Sequence, residues 1–159
     1  MITRKMIHVH DLELHVSTYG VSKEAIPVVI IHGFMDHHIA WEPIALSLCE
    51  KGLRVISYDQ RGHGRSSHVA SSSQYHFPDY ISDLHRLLEK LNISKCQLVG
   101  HSMGGKLAML LALLEPRFVN KVIIADIAPH KARASSLSYE YPAAISMPPI
   151  LAKPRPSVL

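Results

Sequence analysis

The sequence predicts an α/β fold, with a mostly parallel sheet, helices on both of its faces and an antiparallel hairpin before it. Two observations support this prediction. After a pair of alternating apolar and polar segments, continuous apolar runs alternate with segments of helical spacing along most of the chain. In addition, Ser102 lies between Gly100 and Gly104, where one such run gives way to a helix-forming segment. Strands that alternate with helices favour a parallel sheet with right-handed crossovers.

The hairpin is predicted from alternation near the start of the chain. Residues 6–10 and 12–16 alternate between apolar and polar side chains, which indicates two strands joined at Asp11. We interpret the histidines at alternate positions as their solvated face. Residues 27–31 differ, because they form a continuous β-branched run that predicts a strand buried on both faces.

The remaining elements follow from periodicity and from glycine and asparagine stop signals. Residues 40–51 have helical spacing and end at Gly52, and residues 78–91 place apolar side chains on one face and end at Asn92. Strands are predicted at residues 54–58, 96–99 and 118–125, a third helix at 106–114 and a glycine-punctuated loop at 59–66. In parallel sheets the chemistry gathers at the carboxyl ends of the strands, so the functional residues are expected there.

Composition changes after Pro129. Residues 135–159 hold five of the chain's ten prolines and have neither helical nor strand period. We therefore predict an α/β core domain at residues 1–131 and a proline-rich, irregular tail at residues 132–159. An ordered proline-rich loop that packs across the sheet edge is the alternative for the tail.

Charge and hydropathy exclude several classes of protein. The net charge is +4 and the pI is near 9.1, but lysines and arginines are scattered, so we expect no nucleic-acid partner. No stretch approaches the ~20 apolar residues that span a bilayer, so no membrane span is expected. Residues 1–15 lack the apolar region of a signal peptide, which favours a cytoplasmic location. Cys49 and Cys96 lack the close spacing of metal ligands and are interpreted as free thiols, and neither a metal nor a cofactor is expected.

The run Gly100-His101-Ser102-Met103-Gly104 has the pattern of a nucleophile elbow. Such a turn exposes the serine oxygen and brings strand and helix so close that side chains at the two glycines would clash. A serine hydroxyl is a weak nucleophile, so it needs a base, normally a histidine oriented by a carboxylate. The alternative is a tight strand-to-helix turn whose serine is incidental.

The oxyanion formed by attack of such a serine needs two backbone donors. The elbow supplies the N–H of Met103, and the second donor is expected at Phe34, in the loop after the first buried strand. Phe34 and Met35 either pack as core residues or wall an acyl pocket, and both interpretations stay open. Asp126 closes the strand that follows the elbow helix, which makes it the favoured acid, with a cap or loop hydrogen bond as the alternative.

Two other aspartates are weaker candidates for the acid. Asp59 also ends a strand, but Arg61 and Arg65 follow it closely, so a loop-bracing ion pair is favoured there. Asp36 follows the first buried strand and is the weaker candidate of the set.

Four segments, in this order, resemble the alpha/beta-hydrolase fold superfamily. They are His32-Gly33-Phe34, residues 59–66, residues 100–106 and residues 126–129. The chain is similar to the small bacterial-type carboxylesterases and to the related ABHD11-like branch, over residues 7–129. The resemblance implies that Ser102 is the nucleophile and Asp126 the acid. It also implies an oxyanion hole formed by the backbones of Phe34 and Met103. We place the substrate pocket beside these groups, at His32, Gly33, Met35 and His101.

Past Pro129 the family pattern does not continue. The family has helical lid segments, two further strands and a late histidine there, in the chain order Ser, Asp, His. We therefore expect an N-terminal portion of a hydrolase that is truncated before the catalytic histidine and ends in an unrelated tail. His130 is the candidate base, because a triad is defined by geometry and not by chain order, and an ordinary surface-loop histidine is the alternative.

The predicted function is that of a serine-dependent carboxylic ester hydrolase that forms an acyl-serine intermediate. Its expected partner is a small-molecule ester or thioester. A dehalogenase or an epoxide hydrolase is disfavoured, since the resemblance implies an aspartate in those enzymes where this chain has Ser102. The alternative is a catalytically incomplete fragment that binds or self-associates through the sheet edge left by the strand at residues 118–125.

Overall fold

The structure is a computed structural model that describes residues 1–20 and 25–126. Its strands are β1 (Ile2–Val9), β2 (Leu12–Tyr19), β3 (Val28–Ile31), β4 (Val55–Tyr58), β5 (Cys96–His101) and β6 (Val119–Ala125). Its helices are α1 (Glu42–Glu50), α2 (Phe77–Lys90) and α3 (Met103–Leu114), with short 3-10 helices at His38–Trp41, Ser72–Gln74 and Pro116–Phe118. Each strand and helix predicted from the sequence is confirmed, with bounds that differ by a few residues.

The six strands form one sheet in the order β1-β2-β4-β3-β5-β6. The pairs β1/β2 and β2/β4 are antiparallel, whereas β4/β3, β3/β5 and β5/β6 are parallel. The N-terminal hairpin is therefore an antiparallel extension of a parallel sheet. This arrangement confirms the predicted fold class.

Helices cover both faces of the sheet, as the alternation of side chains in β3 shows. Val29 and Ile31 belong to a large apolar cluster that includes side chains of α2 and α3. Val28 and Ile30 face the other way, into a smaller cluster with Ala45 of α1. β3 therefore contributes to both clusters and forms the centre of the core. Burial of an apolar side chain of this size contributes roughly 1.5–3 kcal/mol to stability. The helical residues of the large cluster include Leu84, Leu87, Leu88, Leu107, Ala108 and Leu111.

The starts of two helices explain where the predicted bounds were inexact. The Asp79 carboxylate accepts a hydrogen bond from the His76 N–H at 2.9 Å, which begins α2 one residue earlier than predicted. α3 begins directly after Ser102, three residues before its predicted start, and includes Gly104 and Gly105. Glycines are poor helix formers, so propensity alone placed that start too late. In the described part of the chain, no helix combines the length and the apolar character needed to cross a membrane.

Two predictions concern residues outside those that the structure describes. The proposed boundary at residue 131 and the irregular tail at residues 132–159 both lie there. Both stay predictions.

Candidate active site

Four strand ends meet at the carboxyl edge of the parallel part of the sheet. β3 continues into the β3 loop (residues 32–35) and β4 into the β4 loop (residues 59–66). Ser102 follows β5 and Asp126 follows β6. The register pairs Ile31 with Gly100 and His101 with Ala125, so the ends of β3, β5 and β6 are adjacent. The structure thus brings together the segments that the sequence predicted at this edge.

The turn at Ser102 has the backbone of a nucleophile elbow. Ser102 has φ 49° and ψ −114°, a backbone conformation that residues with a side chain rarely adopt and that costs of order 1–3 kcal/mol. A methyl group on Gly100 would lie 2.6 Å from Gly105 Cα, and one on Gly104 would lie 2.5 Å from His32 O. The predicted clash at both glycines is therefore confirmed. The Ser102 N–H donates to Ala125 O at 3.0 Å, which ties the turn to the end of β6.

The two residues predicted to donate backbone N–H groups to an oxyanion, Phe34 and Met103, both line the cavity described below. Met103 is the first residue of α3, a position whose N–H has no acceptor inside the helix. The Phe34 N–H has no acceptor among residues 1–20 and 25–126. Because a helix N-terminus favours negative charge, the start of α3 is suited to an oxyanion.

An apolar cavity of about 390 Å³ opens beside the elbow. Its walls are Phe34, Met35, Gly62, His63, Tyr75, Phe77, Tyr80 and Met103. Phe34 is 68% exposed and Met35 is 85% exposed, so neither belongs to the core, and both line the cavity. The volume falls within the range of small-molecule pockets.

His32, Gly33 and His101, the other residues predicted for the substrate pocket, are not among the residues that line this cavity, and their role in substrate binding stays a prediction. His32 is completely buried, and its two ring nitrogens contact backbone groups of both loops, Gly33 O in the β3 loop and the Gln60 N–H in the β4 loop. Gly33 lies against the His101 ring, whose centroid is 5.7 Å from that of Trp41.

Burial lowers the pKa of His32 to about 4. Its Nδ1 lies 2.7 Å from Gly33 O, and its Nε2 accepts the Gln60 N–H at 3.0 Å. The Gln60 side chain returns a hydrogen bond to His32 O at 2.6 Å. The neutral ring therefore joins the β3 loop to the β4 loop.

Asp126 lies at the expected sheet edge, with its side chain 90% exposed. Its Oδ2 is 3.8 Å from His101 Nε2. Within the described residues, no histidine nitrogen makes a hydrogen bond with Ser102 Oγ. His130, the candidate base, lies outside those residues, so its role stays a prediction.

Asp59 braces the β4 loop, but not through the predicted arginine pairs. Its carboxylate accepts the backbone N–H of His38 at 2.8 Å and that of Arg65 at 2.9 Å. The Arg61 guanidinium binds Asp83 instead, with N–O distances of 2.6 and 2.8 Å, so the pairing prediction was wrong. Burial opposes ionisation of Asp59, but hydrogen bonds from His38 and from the Arg65 backbone outweigh it and lower the pKa to about 2.

Asp36, the weaker candidate acid, makes local contacts. Its carboxylate accepts the His37 N–H at 2.7 Å and the Trp41 indole N–H at 3.1 Å. These bonds fix the chain just after the β3 loop.

Three buried side chains could offer ligand atoms to a metal. His15, His38 and Asp59 place one such atom each within 4.8 Å of one another. Both Asp59 oxygens already accept backbone N–H groups, and His38 Nδ1 lies only 2.8 Å from one of them. We interpret the cluster as a brace for the β4 loop, and the expected absence of a metal stays a prediction.

Sequence reasoning missed His63 and the aromatic wall of the cavity. His63 stands between two glycines at the carboxyl end of a strand, a position that could have drawn attention to it. Tyr75 lies in a polar segment that carried no such signal. Its hydroxyl bonds both backbone groups of Val69, at 2.9 and 3.0 Å, which holds the ring over Gly62.

Comparison with known proteins identifies the family. Residues 26–145 match the model of the alpha/beta hydrolase fold family. The chain belongs to this family. Over 119 residues the chain is 38% identical to the sn-1-specific diacylglycerol lipase ABHD11 of Danio rerio, which supports its placement in the ABHD11-like branch. That match covers 74% of this chain and 37% of the relative, so the chain spans little more than a third of the relative's length.

Solved structures agree with this assignment. The thioesterase domain from the curacin biosynthetic pathway superposes with a TM-score of 0.72 at 31% identity, over 78% of this chain and 46% of that one. An epoxide hydrolase from Vigna radiata gives a TM-score of 0.73 at 26% identity, over 77% and 38% of the two chains. The relatives are hydrolases, and this chain shares their fold.

Proposed function

We propose that this chain is a serine hydrolase of the carboxylesterase type. Ser102 Oγ attacks the carbonyl carbon of a carboxylic ester or thioester, the alcohol or thiol leaves, and water releases the acid from the acyl-serine. The observation that carries the proposal is the strained turn at Ser102, which lies at the start of α3 and beside an apolar cavity.

Each step gives a role to a group at the strand ends. The N–H groups of Phe34 and Met103 bind the oxyanion of the tetrahedral intermediate, and loss of one such donor typically costs ~3–4 kcal/mol of transition-state stabilisation. Asp126 orients the histidine that takes the serine proton and passes it to the leaving group. His130 is the candidate for that histidine.

The apolar lining of the cavity favours the acyl group as the part of the substrate that binds there. Its walls carry five aromatic or imidazole rings and two methionines, and the described charged side chains are not among them. Two of the relatives are a diacylglycerol lipase and a thioesterase, names that denote cleavage of an ester and of a thioester bond at an acyl carbon. The epoxide hydrolase relatives support the fold of this chain but not an epoxide hydrolase reaction, because this chain has Ser102 at the elbow.

Hydrolysis of a short-chain p-nitrophenyl ester by the full chain tests the proposal. We expect turnover that Ser102→Ala abolishes and that Ser72→Ala leaves unchanged, because Ser72 is exposed and lies in the short helix before α2. Equal background rates in all three proteins would contradict the proposal.

A non-catalytic role through self-association is the second candidate. In the described part of the chain β6 is one of the two edge strands, β1 being the other, and its Ile123 side chain is 57% exposed. An uncovered edge offers unpaired N–H and C=O groups to a second copy. Sedimentation velocity should then show a concentration-dependent dimer that Ile123→Lys abolishes and Ile39→Lys, on another element, preserves. A wild-type chain that stays monomeric at high concentration would refute this role.

A further inference from the structure

The β3 loop contains two consecutive peptide units whose orientation decides where the Phe34 N–H points. The first unit joins Gly33 to Phe34, and its carbonyl oxygen lies 2.7 Å from His32 Nδ1. Because a peptide unit is planar and trans, holding this oxygen also fixes the direction of the Phe34 N–H. The second unit joins Phe34 to Met35, and the Met35 N–H donates to His63 Nε2 at 3.3 Å.

The proton arrangement of His63 is set by its other nitrogen. His63 Nδ1 lies 2.9 Å from Arg61 O, and a carbonyl oxygen can only accept a hydrogen bond. Nδ1 therefore carries the proton, which leaves Nε2 as an acceptor. This tautomer satisfies both contacts, so His63 links the β4 loop to the β3 loop through its Nε2 acceptor.

Met35 needs such a partner because its backbone is strained. Its φ is 59°, in the left-handed region that favours glycine. Its side chain is 85% exposed, so packing does not hold the conformation. A strained residue persists only where its surroundings over-determine it. The His63 ring supplies that constraint, and it also meets the Phe34 ring edge-on, with centroids 5.9 Å apart.

We propose that His63 is a positioning residue of the oxyanion hole, which acts by holding the Met35 N–H and with it the peptide that follows Phe34. This inference rests on the proposed function, because it needs the oxyanion role of Phe34. His32 and His63 then each hold one of the two peptide units of the β3 loop. The buried ring fixes the peptide that carries the donor, and the ring in the cavity wall fixes the next one.

Two substitutions separate the hydrogen bond from the ring. His63→Phe keeps an aromatic ring beside Phe34 but removes the acceptor, whereas His63→Gln places a side-chain oxygen near the position of Nε2. His68→Phe is the matched control, because His68 bonds the backbone of Ser66 and lies outside the cavity wall.

Amide hydrogen exchange at Met35, followed by NMR, measures the contact without any need for turnover. We expect exchange about three- to tenfold faster in His63→Phe, the range that corresponds to loss of one ordinary hydrogen bond. Exchange in His63→Gln and His68→Phe should stay near the wild-type rate. The amide of Leu98, in the core strand β5, serves as the reference for global unfolding. Equal protection of Met35 in His63→Phe and wild type would overturn the inference.

Ester hydrolysis then tests the effect on chemistry. His63→Phe should lower kcat about tenfold or more with KM little changed, because a donor displaced by even 1 Å loses transition-state stabilisation. His63→Gln should recover most of kcat. An unchanged kcat in His63→Phe would overturn the positioning role. If the wild-type chain is no faster than Ser102→Ala, the proposed function fails, whereas Met35 exchange still decides whether His63 holds the loop.

Discussion

The buried His32 predicts a loss of stability in mild acid. Its pKa is about 4 in the folded chain, against an ordinary value of 6.5, and the cause is burial. Because the unfolded chain binds the proton more tightly, the contribution of the neutral ring is complete above pH 6.5. It declines as the pH falls from 6.5 through 4.

The size of this loss follows from the two pKa values. Each pKa unit corresponds to about 1.4 kcal/mol, so protonation of His32 removes about 3 kcal/mol from the free energy of unfolding. Small domains have only ~5–15 kcal/mol in total. The pKa of His15 is also lowered by burial, so it adds to the trend in the same direction.

Urea denaturation at pH values from 7.5 to 4, with His32→Asn as the comparison, isolates the contribution of His32. An asparagine amide can still donate to Gly33 O, but it does not titrate. We expect the unfolding free energy of the wild type to fall by about 3 kcal/mol more than that of the variant. Parallel pH profiles for the two proteins would refute the reasoning, since His15 is common to both.

Two further substitutions test how the site is supported, and urea denaturation at pH 7 measures both. Gly104→Ala should destabilise by about 1–3 kcal/mol, because its methyl group would lie 2.5 Å from the His32 carbonyl oxygen. Arg61→Met should cost about 3–5 kcal/mol by leaving the buried Asp83 carboxylate unpaired. The double variant Arg61→Met with Asp83→Leu should recover part of that loss, and strict additivity of the two changes would contradict the ion-pair argument.

Local pattern was sufficient to predict the elements of the fold. The β-branched run at residues 27–31 and the apolar spacing in α2 reflect side-chain periods that a sequence displays directly. The elbow was predictable for a related reason. The close approach of strand and helix restricts Gly100 and Gly104 to residues without a side chain.

Contacts between distant segments were not predictable in the same way. The Asp59 carboxylate accepts hydrogen bonds from the backbone N–H groups of His38 and Arg65 and does not pair with an arginine side chain. The Arg61 guanidinium instead binds the Asp83 carboxylate, which lies on α2. Those choices depend on where helices pack, which no local period encodes. The hydrogen bonds of the buried His32 ring were not predictable either, because one of its two backbone partners, Gln60, lies in the β4 loop.

The histidine links between the β3 and β4 loops have a consequence for protein engineering. Gln60, His32 and His63 exchange hydrogen bonds across the two loops in both directions. A graft that moves one loop into another scaffold therefore leaves polar groups without their partners and frees the strained peptide at Met35. The transferable module is the pair of loops, taken with the two strands that carry them.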